Sequence, residues 1–267
     1  MNAIHAFCVS VFAVCIAFRS PSSRAVSLTH AHTRFAAWSR AHKFHADAAQ
    51  RAEELLNLQL ELSKPDMLGD GAKPDFQSFT ICIMAQADSV SPDKAQHARN
   101  LLDSLLERVA SGDLQVTRNP TAPFSAVLSA IANSTPSKAR SDGPIDTADE
   151  VLDGFTSIVD TQADPYSIAK MLYEAVESNF HGIGTSADHH ATSAFLRCIA
   201  VHCAPGSTER EHAACRVFRN ACQVGQVSRS VLLRAKEALG RAAATFPEIH
   251  AKNPPKFWSR SVPAAFR

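Results

Sequence analysis

Apolar residues recur every three or four positions along most of the chain, which is the pattern of helices that bury one face. The clearest example runs through residues 94–109. There Ala95, Ala98, Leu102, Leu105 and Val109 form a single apolar stripe. Alternating segments bounded by Asn-Gly or Asp-Gly turns, the signature of β-hairpins, are hard to find. The pattern therefore predicts an all-α protein.

The same spacing predicts further helices over residues 148–159, 166–179, 188–202, 207–224 and 226–240. Two of the predicted helices have recognisable starts. Ser91 is a candidate N-cap followed by Pro92 at the first helical position, and Thr208 and Glu211 have the spacing of a capping box. A polar loop rich in Pro, Gly and Ser is expected at 135–146, before the pattern resumes.

Two pairs of segments resemble one another at nearly the same distance along the chain. Residues 73–89 match residues 118–134 at an offset of 45, and residues 48–56 match residues 94–102 at an offset of 46. A single helical hairpin cannot bury its apolar face alone, so repeated hairpins are expected to stack. The matched residues are Phe79 with Phe124, Ala85 with Ala130, Ala87 with Ala132, Ser89 with Ser134, Ala49 with Ala95, Ala52 with Ala98, Leu55 with Leu101, and Leu56 with Leu102.

Charge is distributed unevenly although the net charge of the 267-residue chain is only +1. Residues 1–46 contain five basic residues and no acidic one. Residues 47–189 contain ten basic and 22 acidic residues, whereas residues 190–267 contain twelve basic and four acidic residues. An anionic partner is therefore expected at the C-terminal third and not in the middle of the chain.

The first 33 residues have the composition of a targeting segment. Residues 6–18 are apolar but too few for a membrane span, so residues 1–18 are interpreted as signal-peptide-like. Residues 19–33 are rich in Arg, Ser and His and lack acids, which is typical of a transit peptide. Together they resemble the bipartite leaders of algal proteins sent to complex plastids. We expect a removed leader and an organellar location, a plastid first and a mitochondrion as the alternative.

The remainder divides into a helical-hairpin repeat domain, residues 34–240, and a flexible tail, residues 241–267. Within the domain, a Pro-Asp pair and Ser-Phe precede a helix rich in small residues, and a second helix with the pattern A-x-x-A-x-x-L-L follows. These motifs resemble pentatricopeptide repeats, and more closely the divergent pentatricopeptide-like organellar proteins of algae. The resemblance implies a right-handed α-solenoid of three to four repeats with long inter-helix loops. It also implies binding of single-stranded RNA in transcript processing, stability or translation.

Residues of the family that select bases can be carried over only where the motif matches. The resemblance assigns base contacts to the residue just after the aromatic position of the first helix in each repeat and to the last residue of the repeat. The first group contains Thr80, Ser125 and Ser193, and the second contains Asp75, Asn119 and Asp188. Independently of the resemblance, the basic C-terminal third supplies candidate phosphate contacts, namely Arg197, Arg210, Arg216, Arg219, Arg229 and Arg234.

A protein-binding scaffold is the alternative, because related helical hairpins bind peptides and the acidic residues Glu53, Glu54, Asp103 and Glu107 would suit a basic partner. Other organellar proteins are possible partners in either case. The sequence has no C-x-x-C, H-E-x-x-H, G-x-S-x-G or phosphate-loop pattern, so we expect no enzyme, no metal and no cofactor. The cysteines are expected to be reduced and buried, and the mature form is expected to have no membrane segment.

Overall fold

The computed structural model describes residues 47–64, 73–116, 119–134, 164–178, 187–240 and 243. Within these ranges the secondary structure is helical and contains no strand, which confirms the predicted all-α class. The chain divides into two compact units, with the boundary after Pro123. The predicted leader, the helix at 148–159, the loop at 135–146 and nearly all of the tail lie outside the described residues.

The first unit contains three described helices, α1 (Ala48–Leu62), α2 (Phe76–Asp88) and α3 (Lys94–Ala110). Helix α2 packs against both α1 and α3. Its side chains Phe79, Cys82 and Ile83 are completely buried, and they form the centre of the unit. Burial of this apolar surface supplies most of the stability of such short helices, because isolated helices of this length are marginal in water.

A polar link joins the three helices of the first unit. The Gln86 side chain on α2 donates a hydrogen bond of 2.7 Å to the Glu53 carboxylate on α1. On α3, His97 Nδ1 lies 3.4 Å from the same Glu53 oxygen, Oε2. Glu53 is therefore occupied within the unit, and the exposed acids of the predicted acidic surface are Glu54, Asp103 and Glu107.

The second unit contains α4 (Ala122–Asn133), which begins at the boundary, α5 (Pro165–Glu177), α6 (His189–His202), α7 (Thr208–Gln223) and α8 (Arg229–Leu239). Helix α6 is the central helix and packs against α5, α7 and α8. It is also hydrogen-bonded to α4. The Cys198 thiol lies 3.1 Å from the Leu128 carbonyl oxygen, and His202 Nε2 lies 2.9 Å from the Ile131 carbonyl oxygen.

Five of the eight residue pairs matched in the sequence repeat are buried at both positions. Ala52 and Ala98 are fully buried, as are Leu56 and Leu102. The aromatic pair, Phe79 and Phe124, and the small-residue pairs, Ala85 with Ala130 and Ala87 with Ala132, are buried as well. In the stripe predicted for α3, the three central residues are buried and the end residues Ala95 and Val109 are half-buried. In the other three pairs, Ala49 with Ala95, Leu55 with Leu101 and Ser89 with Ser134, one residue is buried and the other half-buried, so the repeat in burial is partial.

Both predicted helix starts need correction. Helix α3 begins at Lys94, so Pro92 precedes the helix, and the Ser91 hydroxyl accepts a hydrogen bond from the Asp93 amide in the preceding turn. The N-cap of α7 is Ser207 and not Thr208, since the Ser207 side chain accepts from the Arg210 amide at 3.2 Å. Local turn geometry decided these positions, because neighbouring hydroxyl residues have nearly equal capping ability.

Among the described helices, none combines the length and the apolarity that a membrane crossing requires.

Candidate functional site

The basic residues predicted to contact an anion lie on α6, α7 and α8, which pack against one another. Arg219 and Arg229 are exposed, and Arg197 is half-buried. Within the described part of the chain, none of these three forms an ion pair. Arg216 and Arg234 are already engaged, with Glu174 at 3.1 Å and Glu237 at 2.7 Å respectively. The structure thus separates the arginines into solvent-facing cations and paired ones.

Arg210 has a different environment from the other predicted phosphate contacts. Only 9% of the residue is exposed, and its guanidinium is directed at the main chain. Nε donates to the Ala238 carbonyl at 2.8 Å, one terminal nitrogen to the Glu237 carbonyl at 2.7 Å, and the other to the Cys203 carbonyl at 3.2 Å. Arg210 therefore satisfies carbonyls at the C-terminal ends of α6 and α8. The predicted phosphate contact of Arg210 is wrong for that reason.

A cleft with a volume of about 290 Å³ opens at the C-terminal ends of α5 and α7, next to the start of α6. Its lining contains one carboxylate, two side-chain amides and two hydroxyls, together with three small apolar side chains. The lining residues are Tyr173, Glu177, Ala187, Thr192, Asn220, Ala221, Gln223 and Val224. The cleft volume lies at the lower end of the range of small-molecule sites, about 300 to 1,000 Å³.

Two polar contacts join α5 and α7, and only the second is made by residues that line the cleft. Arg216 donates to Glu174 at 3.1 Å, and one helical turn further the Asn220 amide donates to the Glu177 carboxylate at 3.4 Å. The second contact is long for a hydrogen bond, so it is weaker and more easily exchanged for a ligand contact. Glu177 itself is exposed at the end of α5.

The hydroxyls of the cleft are held on the inner side. Tyr173 is buried, stacks on Phe195 with ring centroids 4.4 Å apart, and places its hydroxyl oxygen 3.4 Å from Thr192 Oγ1. Burial raises the pKa of the Tyr173 phenol, so it stays protonated throughout the physiological range. The inner wall is therefore rigid and neutral, and the charge of the lining resides in Glu177.

The residues that the resemblance assigned to base contact have clear structural roles. Asp75 and Asp188 are the N-caps of α2 and α6, and each carboxylate accepts from the amide three residues on at 2.8 Å. Thr80 is buried and donates to the Phe76 carbonyl at 2.8 Å. Ser125 is buried on α4, whereas Ser193 is half-buried and Asn119 is exposed just before α4. They lie on the first helices of the predicted hairpins and do not line the cleft.

The cysteines of the described residues form no disulfide, and four of the five are buried, whereas Cys215 is half-buried. Cys82 and Cys198 are fully buried, and burial raises the pKa of both thiols. Burial also raises the pKa of Cys203, to about 11. These thiols remain protonated near neutral pH, which makes them poor nucleophiles. His189 and His190 contact each other with ring centroids 4.0 Å apart, but no group of three or more potential metal ligands occurs in the described ranges.

Glu177, Asn220 and Gln223 were not among the site residues predicted from the sequence. A signal was present, because Arg216 and Asn220 are four residues apart on α7, as are Tyr173 and Glu177 on α5. Each pair therefore occupies one face of its helix. That the two faces are turned toward each other depends on helix packing and could not be inferred from spacing.

No protein-family model, curated protein or solved structure matches this chain.

Proposed function

We propose that this chain is a helical-repeat protein that binds single-stranded RNA in an organelle, with the second unit supplying the main contacts. The observation that supports the proposal best is the set of cations without ion-pair partners on three mutually packed helices of that unit, within its described residues. They are Arg197 on α6, Arg219 on α7, and Arg229 and Lys236 on α8. Free cations of this kind neutralise phosphates and release counterions when RNA binds.

The charge balance along the second unit agrees with this assignment. Residues 187–240 contain seven basic and four acidic residues, and one acid, Glu237, is paired with Arg234. Residues 47–116 have the opposite balance, with acids in excess throughout the described part. An RNA strand is therefore expected to bind α6–α8 first, because its backbone is repelled by α1–α3.

A solenoid of stacked hairpins is the architecture that we propose for the chain. The repeat of 45 to 46 residues, the matched burial of Phe79 and Phe124, and the small residues Ala85 and Ala130 on packed helices support it. In such an architecture the chain would act on organellar transcripts, in their processing, stability or translation. The targeting-segment composition of residues 1–33 supports the organellar location.

Binding of unstructured RNA to the 267-residue chain tests the proposal. We expect fluorescence anisotropy to show binding to a mixed-sequence 20-nucleotide RNA that weakens steeply between 50 and 200 mM salt. The double variant Arg219→Glu/Arg229→Glu should lose most of this affinity, since it replaces two free cations by anions. Both side chains are exposed, so circular dichroism should be unchanged.

The matched control changes the net charge equally in the other unit. Arg51→Glu/Lys64→Glu alters two exposed cations, one on α1 and one just after its end, and RNA affinity should fall far less than in the first double variant. Equal losses in the two double variants would mean that only total charge matters and would contradict a specific surface on α6–α8. A folded protein that binds no RNA at 50 mM salt would refute the proposed function.

A protein-binding scaffold is the second candidate, and the surface of the first unit favours it. The described residues 47–116 include ten acidic and six basic residues, and the exposed acids Glu54, Asp103 and Glu107 lie on α1 and α3. Such a surface suits a basic peptide. Capture of organellar proteins by the wild-type chain, but not by the variant Glu54→Lys/Asp103→Lys/Glu107→Lys, would favour this function over RNA binding.

A further inference from the structure

We infer that the cleft bounded by α5, α7 and the start of α6 binds a nucleobase with an exocyclic amino group, such as adenine or cytosine, and disfavours uracil. The inference rests on the proposed function, since RNA binding would deliver a base to the cleft, and it specifies which bases are retained there. The cleft is distinct from the cations on α6–α8 and from the helix residues to which the resemblance assigned base contacts.

The lining determines the chemistry of the ligand. Glu177 is its one charged side chain, so a phosphate or another anion is repelled from the cleft. Asn220, Gln223 and Thr192 add neutral donors and acceptors. These side chains are complementary to a ligand that donates N–H groups to the carboxylate and accepts hydrogen bonds from the amides at neighbouring atoms. The amino groups of adenine and cytosine supply such N–H donors beside a ring-nitrogen acceptor, and a carboxylate accepts from them more strongly than a neutral amide does.

A cationic side chain of a peptide would also find Glu177 attractive, but the surroundings count against it. Arg216 lies one turn from Asn220 on α7 and is held toward α5 by Glu174. A guanidinium near the cleft weakens the attraction of Glu177 for a second cation and leaves a neutral base unaffected.

Uracil is disfavoured by the same carboxylate. Its single N–H donor on the pairing edge is flanked by two carbonyl oxygens, and a carboxylate brought to that edge meets one donor between two acceptors. Adenine and cytosine place an amino group on their pairing edge, which can replace the long contact of 3.4 Å between Asn220 and Glu177. The cleft volume of about 290 Å³ is small enough to admit a single base and not a folded RNA element.

The test compares the oligonucleotides A12, C12 and U12, together with free adenosine and N6,N6-dimethyladenosine, on the 267-residue chain. We expect A12 and C12 to bind more tightly than U12, and Glu177→Gln to weaken A12 about tenfold while leaving U12 unchanged or slightly tighter. Loss of a negative charge should by itself strengthen binding of any RNA. A loss confined to A12 and C12 therefore cannot come from long-range electrostatics.

Two matched controls separate the cleft from the rest of the surface. Glu209→Gln removes an exposed carboxylate of α7 that does not line the cleft, and it should not change the preference for A12 over U12. Free adenosine should bind with an affinity that Glu177→Gln reduces, whereas N6,N6-dimethyladenosine, which has no amino hydrogens, should not bind. Thermal unfolding of Glu177→Gln should match the wild type, because Glu177 is exposed at the end of α5.

The outcomes distinguish the inference from the function on which it rests. Equal affinity for A12, C12 and U12, unaltered by Glu177→Gln, would overturn the inference and leave RNA binding in place. Adenosine binding that depends on Glu177, without binding of any oligonucleotide, would support the cleft and overturn the proposed RNA function. Binding of neither adenosine nor any oligonucleotide would overturn both.

Discussion

The unit of α1–α3 and the unit of α4–α8 are built by the same packing device but have different surfaces. Each has a central helix, α2 or α6, and each central helix has an aspartate N-cap, Asp75 or Asp188, at 2.8 Å from its amide partner. Each also has a buried cysteine on its central helix whose thiol contacts a main-chain carbonyl of another helix, α1 for Cys82 and α4 for Cys198. These shared features lie in the buried contacts between helices or at the starts of helices.

The differences lie on the outside and at the helix ends. The first unit has an excess of acids, and its polar link is made by Glu53 with Gln86 and His97. The second unit has free cations on α6–α8, a polar cleft, and the buried guanidinium of Arg210. Two units can therefore keep the same kind of buried helix contact and helix N-cap while their solvent-facing residues differ, because solvent-facing residues contribute little to packing.

The largest effect on stability is expected from a charge placed at a buried position between two helices. Leu102→Asp should unfold the first unit, because Leu102 is completely buried and an unpaired carboxylate there has no hydrogen-bond partner. Ala98→Asp should act in the same way. Asn100→Asp adds the same carboxylate at an exposed position of α3 and should leave thermal unfolding nearly unchanged. Unaltered unfolding of Leu102→Asp would show that the helix packing described for α3 is wrong.

The second largest effect on stability is expected from Arg210, which belongs to the second unit. Arg210→Ala removes the donors of three main-chain carbonyls, and the free energy of unfolding in urea should fall by roughly 3 kcal/mol. Arg210→Lys should recover only part of this loss, because an ammonium cannot reproduce the planar set of donors. Arg219→Ala, an exposed residue on the same helix, should change stability by less than about 0.5 kcal/mol. A small effect of Arg210→Ala on the free energy of unfolding would show that the buried guanidinium does not stabilise the second unit.

The third prediction tests what the units share. Asp75→Ala and Asp188→Ala should each lower the free energy of unfolding by about 1 kcal/mol, because each removes a helix N-cap. The corresponding Asn variants retain the acceptor oxygen and should restore most of the stability. If Asp75→Asn or Asp188→Asn is stable yet changes RNA preference, these residues contact bases in addition to capping. Very different losses in the two units would argue against equivalent caps.

The smallest effect is expected from the exposed ion pair between α5 and α7. Glu174→Gln breaks its contact with Arg216, and the side chains are 44% and 51% exposed. Stability should change by less than about 1 kcal/mol, and the effect should vanish at high salt. RNA binding should increase slightly, since Arg216 becomes free for phosphate. A larger change in stability would mean that the wall of the cleft depends on this pair.

Periodicity and composition were sufficient for the helices themselves. The stripe of α3 and the apolar face of α7, which includes Ala214, Val217 and Phe218, are buried as predicted. The helix predicted at 188–202 agrees with α6, His189–His202, apart from its cap. Such features are local, because a helix repeats every 3.6 residues and the spacing of its apolar side chains therefore predicts which face is buried.

The sequence by itself thus determined the helical class, the buried stripes and the division of charge between the two parts of the chain. Only the tertiary structure decided that Arg210 is buried against the ends of α6 and α8, and that Glu177 and Asn220 meet across a cleft. The contacts of Arg210 with α8 and of Asn220 with Glu177 join residues 27, 28 or 43 positions apart in the sequence. Their meeting depends on how whole helices pack, a property that no local pattern of side chains encodes.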